Sequence, residues 1–269
     1  MICVNLCGGI GNQLFQVATG VAIAKEYKSV YGIDYNLQHN LVQGYPSRRY
    51  KDNLFSMIPE IDIGSVHHTF YQEPSWEYTE LPKFNGHVFL NGYFQSEKYF
   101  KNHGDEICEL LQFPADIIDK IDAVVSKLKE HYDKLILVHA RRGDYIKYNK
   151  VHAVQPSEYY QSAMKALESD NCCYVVISDD IDWCQQHLNG ENITFSNPHD
   201  TGIKYDELCD LYLASKCDDY VISNSSFSWW GAYLNRSNTK RVIAPSTWFG
   251  PDGPTQNWSD VYCENWEVM

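Results

Sequence analysis

The chain has 269 residues, 44% apolar and 21% charged, long enough for one large or two ordinary globular domains and too apolar for a disordered or fibrous chain. Lys and Arg number 22 against 35 Asp and Glu, a net charge of −13. That balance repels a nucleic-acid backbone or an anionic membrane surface, so any bound phosphate must be held by a few placed cations.

In chain order, residues 2–6 read as an apolar strand and 12–27 as a helix, with Leu14, Val17, Ala18, Val21 and Ala24 at helical spacing. An extended pattern resumes at 30–33, which makes a βαβ start with the turn Gly8-Gly9-Ile10-Gly11 at the carboxyl end of its first strand. Residues 36–104 are rich in aromatic and polar side chains without clear period. Only a strand at 87–90 and a turn at Asn91-Gly92 are predicted there. A charged amphipathic helix over 117–131 leads into a buried strand at 135–139. Helices at 157–167, 181–188, 205–216 and 227–235 then alternate with strands at 173–178, 193–195, 220–223 and 241–244. Such alternation predicts a parallel sheet with helices on both faces. The domain boundary is placed in the 117–131 helix, giving 1–125 and 126–269.

Compartment follows from what the sequence lacks. The first residues show neither a basic leader nor a signal-peptide core, and the longest uninterrupted apolar run, 172–177, is far short of a membrane span. Nine cysteines, an odd number with no C-x-x-C pair, read as reduced and buried thiols. Sequons at Asn192, Asn224, Asn235 and Asn257 go unused without secretion. The expectation is a cytoplasmic protein that associates with a membrane only peripherally, through a partner.

Two junctions carry the chemistry. His139-Ala140-Arg141-Arg142-Gly143-Asp144 stands where a buried strand ends, the place where open α/β sheets bind ligands. Adjacent arginines there ask for a phosphate or carboxylate, or else form an Arg–Asp ion pair that closes the loop through Asp144. At a second strand-to-helix junction, Ser223-Asn224-Ser225-Ser226-Phe227-Ser228-Trp229-Trp230 offers hydroxyls and free helix N–H groups, either as an anion cradle or as a plain N-cap by Ser225 or Ser226. Trp229 and Trp230 read as core. The pair of junctions favours a diphosphate over two unrelated loops. Between them, Asp180-Ile181-Asp182 satisfies the D-x-D pattern of metal-dependent sugar transferases, but an acidic first helical turn is ordinary dipole compensation, and no metal is expected. The glycine turn has Leu14 where a dinucleotide loop has its third glycine; Asn12 and Gln13 behind it either cap the helix or point amides into a cleft. His67, His68, His152 and His199 lack zinc spacing.

The segments Gly9-Ile10-Gly11-Asn12-Gln13-Leu14-Phe15-Gln16, Gly92-Tyr93-Phe94-Gln95-Ser96, His139 to Tyr145 and Asn224 to Trp230 together resemble the bacterial α-1,2-fucosyltransferases in order and spacing, from residue 8 to about residue 250. The resemblance implies a GT-B-like α/β fold of two facing Rossmann-like domains with mostly parallel sheets, the first on the acceptor side and the second binding GDP-fucose. It implies transfer of L-fucose to the 2-hydroxyl of a terminal galactose, with inversion, without metal and without a cofactor beyond the donor itself. Carried onto this chain, it puts Arg141 and Arg142 on the diphosphate, with His139 orienting them or contacting the ribose. Asn224, Ser225, Ser226 and Phe227 would line the phosphates, Asn12 and Gln13 would orient acceptor or fucose, and Asp210 would accept from guanine N1 and N2. Asp144 is the first candidate for the catalytic base and His152 the second, with Asp144 alternatively bracing the arginines. Tyr93, Phe94 and Gln95 would shape the cleft or pack the core. The product would be a surface polysaccharide such as O-antigen or capsule, or a free oligosaccharide. Competing readings are a metal-dependent or other GDP-sugar transferase, and a non-catalytic nucleotide- or glycan-binding module.

Overall fold

The computed structural model describes residues 1–37, 44–188, 190, 192–196 and 206–269. Among these the chain divides into two units, Met1–Pro114 with Asn257–Cys263, and Ala115–Gln256 with Glu264–Met269. The division falls ahead of the first long helix of the second unit, whereas a cut at 125/126 would sever that helix from the sheet it covers. His199 and Tyr205 lie outside the described residues.

The first unit is built on β1 (Ile2–Val4), α1 (Ile10–Glu26), β2 (His68–Gln72), β3 (His87–Asn91) and α2 (Gly104–Leu110). Its sheet has the order β1-β3-β2, and every pairing is parallel, so the three carboxyl ends share one edge. α1 is apolar nearly all round and is buried accordingly, with Leu14, Phe15, Val17, Ala18 and Ala22 almost fully enclosed. The stretch expected as a strand at 30–33 makes only single bridges, Tyr31 to Ile2 and Ile33 to Glu60. β2 escapes sequence reading because it is an edge strand with Thr69, Phe70 and Gln72 exposed, which hides the alternation of a half-buried strand. β3 runs on through Asn91, so the expected turn begins one residue later.

The second unit contains α3 (Ala115–Lys129), β4 (Lys134–Ala140), α4 (Gly143–Lys147), α5 (Ser157–Leu167), β5 (Cys172–Ser178), α6 (Ile181–His187), β6 (Ile193–Phe195), α7 (Asp206–Ser215), β7 (Asp219–Val221), α8 (Ser226–Leu234), β8 (Val242–Ala244) and β9 (Glu267–Val268). The order β6-β5-β4-β7-β8-β9, parallel throughout, is the doubly wound arrangement. From β4 the chain steps outward to β5 and β6, then returns to lay β7 on the other side of β4. That reversal between β4 and β7 opens a crevice at their carboxyl ends. β4 is buried on both faces, Leu135 to Val138 showing no exposure, and packs on Tyr160, Ala163 and Val176. Asp219 at the start of β7 is buried but paired: Lys134 Nζ donates to it at 2.7 Å and the Arg241 backbone N–H at 2.7 Å, tying β7 to both neighbours. Trp229 and Trp230 are fully buried in α8 and meet edge to face at 5.3 Å, a core role as the sequence suggested.

All nine cysteines are free thiols and seven of them are buried. No helix among the described residues is long and apolar enough to cross a membrane.

Candidate active site

The two sequence motifs of the second unit meet at the β4–β7 switch point. β4 delivers His139 and then Arg141 and Arg142; β7 delivers Ser223 to Ser225 and the start of α8. His139 Nδ1 lies 2.8 Å from Ser223 Oγ, and its ring stacks on Phe227 at 5.4 Å. Burial, reinforced by the charge of Arg141, pushes the imidazole down to about 3, so it stays neutral. His139 therefore links the two strand ends through Ser223 and Phe227; no hydrogen bond from it to Arg141 or Arg142 occurs among the described residues, and a ribose contact is the other role the resemblance implies.

The two arginines do different jobs. Arg142 is enclosed: its Nε donates to Asp180 at 3.0 Å and its guanidinium lies 3.8 Å from the centre of the Trp183 ring. Arg141 is about one-third exposed and is clamped from two sides, Nη2 donating to Asp144 at 2.6 Å and Nη1 pairing with Asp179 at 2.9 Å. The clamp fixes the direction of the guanidinium while leaving further N–H donors for an anion. Of the alternatives read from the sequence, the ion pair through Asp144 is present, and it leaves donors on Arg141 with which the anion alternative is compatible. Asp179 was missed as a site residue, although it ends the strand beside β4. One of its oxygens accepts the Arg142 backbone N–H at 2.8 Å while the other holds Arg141. Gly143 is required by this contact, because a Cβ there would stand 2.5 Å from Asp179 Oδ2.

Asp180 is committed as the N-cap of α6, accepting from Trp183 N at 3.2 Å, and to Arg142. Asp182 sits in the first turn of α6, where its charge complements the helix dipole. No group of three His, Cys, Asp or Glu side chains suited to a metal ion occurs among the described residues.

Ser225 caps α8, its Oγ accepting from Phe227 N at 3.3 Å, while Ser226 and Phe227 are half-buried at the helix start. Asn224 departs from the expected phosphate contact: its amide donates to Ala153 O at 2.9 Å and Trp248 O at 2.6 Å and accepts from Gln155 at 3.1 Å. With every amide position used, Asn224 shapes the loop. His152 stacks on Tyr145 at 4.4 Å, close enough to Asp144 and Arg141 to feel both charges, and burial, the leading cause, lowers its imidazole from the ordinary value. Asp210, on α7, accepts from Ser196 Oγ at 2.8 Å just beyond β6, the edge strand, with β5 between that strand and β4.

In the first unit, Asn12 accepts from Gln95 Nε2 at 2.7 Å. Gln13 is wholly buried and donates to Gly8 O at 3.0 Å and Tyr45 O at 2.8 Å, so its amide hydrogens hold the glycine turn and are not available to a ligand. Phe94 is fully buried, which gives it the packing role of the two considered for it.

A model of glycosyl transferase family 11 matches residues 1–269. The chain belongs to glycosyl transferase family 11. Among relatives of this glycosyltransferase, an α-1,2-colitosyltransferase of Escherichia coli is 29% identical, covering 93% of this chain and 92% of its own length. The galactoside α-(1,2)-fucosyltransferase 2 of Oryctolagus cuniculus is 22% identical over 94% of this chain and 72% of its own. Among solved structures, the α-1,6-fucosyltransferase NodZ of Bradyrhizobium, co-crystallised with GDP, superposes with a TM-score of 0.56 at 14% identity, covering 86% of this chain and 91% of that one. The glycosyltransferase thus has the GT-B-like α/β fold of that enzyme, with a parallel sheet in each unit.

Proposed function

We propose that the glycosyltransferase moves L-fucose from GDP-β-L-fucose to the 2-hydroxyl of a terminal galactose in an oligosaccharide or polysaccharide repeat, inverting the anomeric centre without a metal ion. The observation that carries this reading is the clamped guanidinium of Arg141 at the β4–β7 switch point, beside the capped start of α8. The family membership and the α-1,2 linkage in the names of both relatives support it.

As the bond from the anomeric carbon to the diphosphate breaks, charge builds on the leaving oxygen while the sugar becomes oxocarbenium-like. A fixed guanidinium gains more from that developing charge than from the ground state. Arg141 supplies this contact; Arg142, Asp144 and Asp179 hold it in place. Asp180 is already engaged as helix cap and arginine partner, which supports diphosphate neutralisation by arginine instead of metal. The acceptor hydroxyl gives its proton to a base on the far side of the sugar as its oxygen bonds to the anomeric carbon and GDP departs. Of the two candidates this reading takes His152, whose imidazole burial holds below its ordinary value, over Asp144, which is paired with Arg141.

The test is GDP release from GDP-fucose with and without lactose in excess EDTA. Acceptor-stimulated release that survives chelation is the expected result, with Arg141→Ala slower by about 10²–10³-fold. Release lost to EDTA and restored by manganese would return Asp180 and Asp182 as ligands. An Arg141→Ala enzyme within threefold of wild type would remove the diphosphate assignment. A second donor is favoured by one observation, the colitosyl specificity in a relative's name, and competition between GDP-colitose and GDP-fucose decides it.

A further inference from the structure

At the carboxyl edge of the first unit's sheet is a cavity of about 330 Å³, lined by residues of that unit alone. Its walls include Cys7, Gln72, Glu73, Trp76, Asn91 and Tyr93. Parallel sheets place ligands at this edge, and the volume lies at the small end of ligand sites, the scale of one sugar ring.

The lining is organised, and in one sense only. Asn5 Nδ2 donates to Asn91 Oδ1 at 2.7 Å, Asn91 Nδ2 to Gln72 Oε1 at 2.7 Å, and Gln72 Nε2 to Glu73 O at 3.3 Å, a ladder of amides across the ends of β1, β3 and β2. Each amide keeps a second N–H, so a row of oriented donors is left along the edge. Beside it Trp76 and Tyr93 stack at 4.6 Å and 20°. Flat aromatic faces suit the C–H faces of a pyranose, and amide forks suit its hydroxyl groups.

The floor is rigid. Glu73 accepts the backbone N–H of Tyr93 at 2.6 Å and of Phe94 at 3.1 Å. Gly92 leaves it room, since a Cβ there would come 2.4 Å from Glu73 Cβ. Two residues after Gly92, Phe94 is a buried aromatic held at φ 52°, a conformation that bulky residues leave unless the surroundings impose it. Strain stored beside a cavity with converging donors is the pattern of a binding site. Glu73 lines the cavity, so an acidic ligand there would meet a second carboxyl group and the net negative charge of the chain as a whole.

We propose that this cavity binds a neutral hexopyranose, with the Trp76–Tyr93 pair as its apolar wall and Gln72 and Asn91 as hydroxyl ligands. Resting on the functional reading above, that ring is the terminal galactose of the acceptor.

Two measurements on the full chain test it. Saturation-transfer NMR with methyl β-D-galactopyranoside needs no turnover, and methyl β-D-glucuronide is the charged comparison. Galactoside signal that falls in Trp76→Ala, with none from the glucuronide, is expected. Lactose KM should rise about tenfold or more in Trp76→Ala and about threefold in Gln72→Ala, an exposed side chain whose loss does not threaten folding, while GDP affinity stays within about twofold. Transfer with lactose KM unchanged in both variants, galactoside signal indifferent to Trp76, or equal binding of the glucuronide would each overturn the proposal. If wild type shows no transfer but its galactoside signal depends on Trp76, the fucosyl reading fails and the cavity assignment stands.

Discussion

Gly143→Ala adds one methyl group and removes no functional atom, so its effect isolates the geometry of Arg141. The new Cβ would lie 2.5 Å from Asp179 Oδ2, and ordinary contact begins at 3.4 Å, so the carboxylate must retreat by 3.4 − 2.5 = 0.9 Å. That carboxylate holds Arg141 Nη1 at 2.9 Å and the Arg142 N–H at 2.8 Å, and a retreat of this size breaks at least one of the two bonds. Arg141 is left clamped by Asp144 alone. Misplacing a catalytic group by about 1 Å is worth about 10²-fold in rate, or about 2.7 kcal/mol of barrier. Stability should fall by only about 1 kcal/mol, because Asp179 is partly exposed and can move without opening the core. Turnover is followed as lactose-dependent GDP release, stability as the urea midpoint. A double variant with Asp179→Ala adds a sharper criterion: if both changes act through one clamp, the double variant is no slower than Asp179→Ala alone. A Gly143→Ala enzyme within threefold of wild type, or losses that multiply in the double variant, would refute the clamp.

The pH profile separates the two candidate bases. Burial lowers the His152 imidazole, so kcat/KM should be level above pH 6.5 and fall on an acid limb below it. Asp144→Asn, which keeps an acceptor for Arg141, should slow turnover about tenfold and leave that limb in place, whereas His152→Gln should remove it; the opposite pattern makes Asp144 the base. His139 gives a stability signature of its own. Its folded value of about 3 lies below the unfolded 6.5, so between the two the unfolded chain binds the extra proton. Stability from this group is complete above pH 6.5 and declines as pH falls toward 3, by at most about 1.4 kcal/mol per pH unit. Urea midpoints at pH 7 and pH 5 should therefore diverge more in wild type than in His139→Asn, and equal declines would rule His139 out as the source.

The second unit was readable because its central strands β4 and β5 are apolar runs enclosed on both faces, and strands alternate with helices from β4 to β8; the exposed two-residue strand β9 carries no such signal and escaped sequence reading. Ile193–Phe195 and Ser157–Leu167 stand at their expected bounds, and others differ by a residue or two at the ends. The first unit resisted for physical reasons. β2 is an exposed edge strand, and the neighbouring cavity wall is assembled from the ends of three strands that are far apart in sequence. Glu73 and Trp76 look like any acidic and aromatic residue in a polar stretch until β2 pairs with β3 and brings Glu73 under Tyr93.

The same contrast holds for residue roles. Residue type and position at a strand end announced Arg141, but only coordinates divide labour between it and Arg142, because that division depends on Trp183 and Asp180 one strand away. Asn224 shows the converse. Its place in a motif of hydroxyls suggested a phosphate contact, whereas three bonds to Ala153, Trp248 and Gln155 make it the residue that gives the loop its shape. Sequence motifs at a switch point therefore mix residues that keep donors for a ligand with residues that shape the loop. What distinguishes the two is whether donors remain after the protein's own hydrogen bonds have been assigned: Arg141 keeps some, while Asn224 keeps none and Gln13 has given both amide hydrogens to the glycine turn.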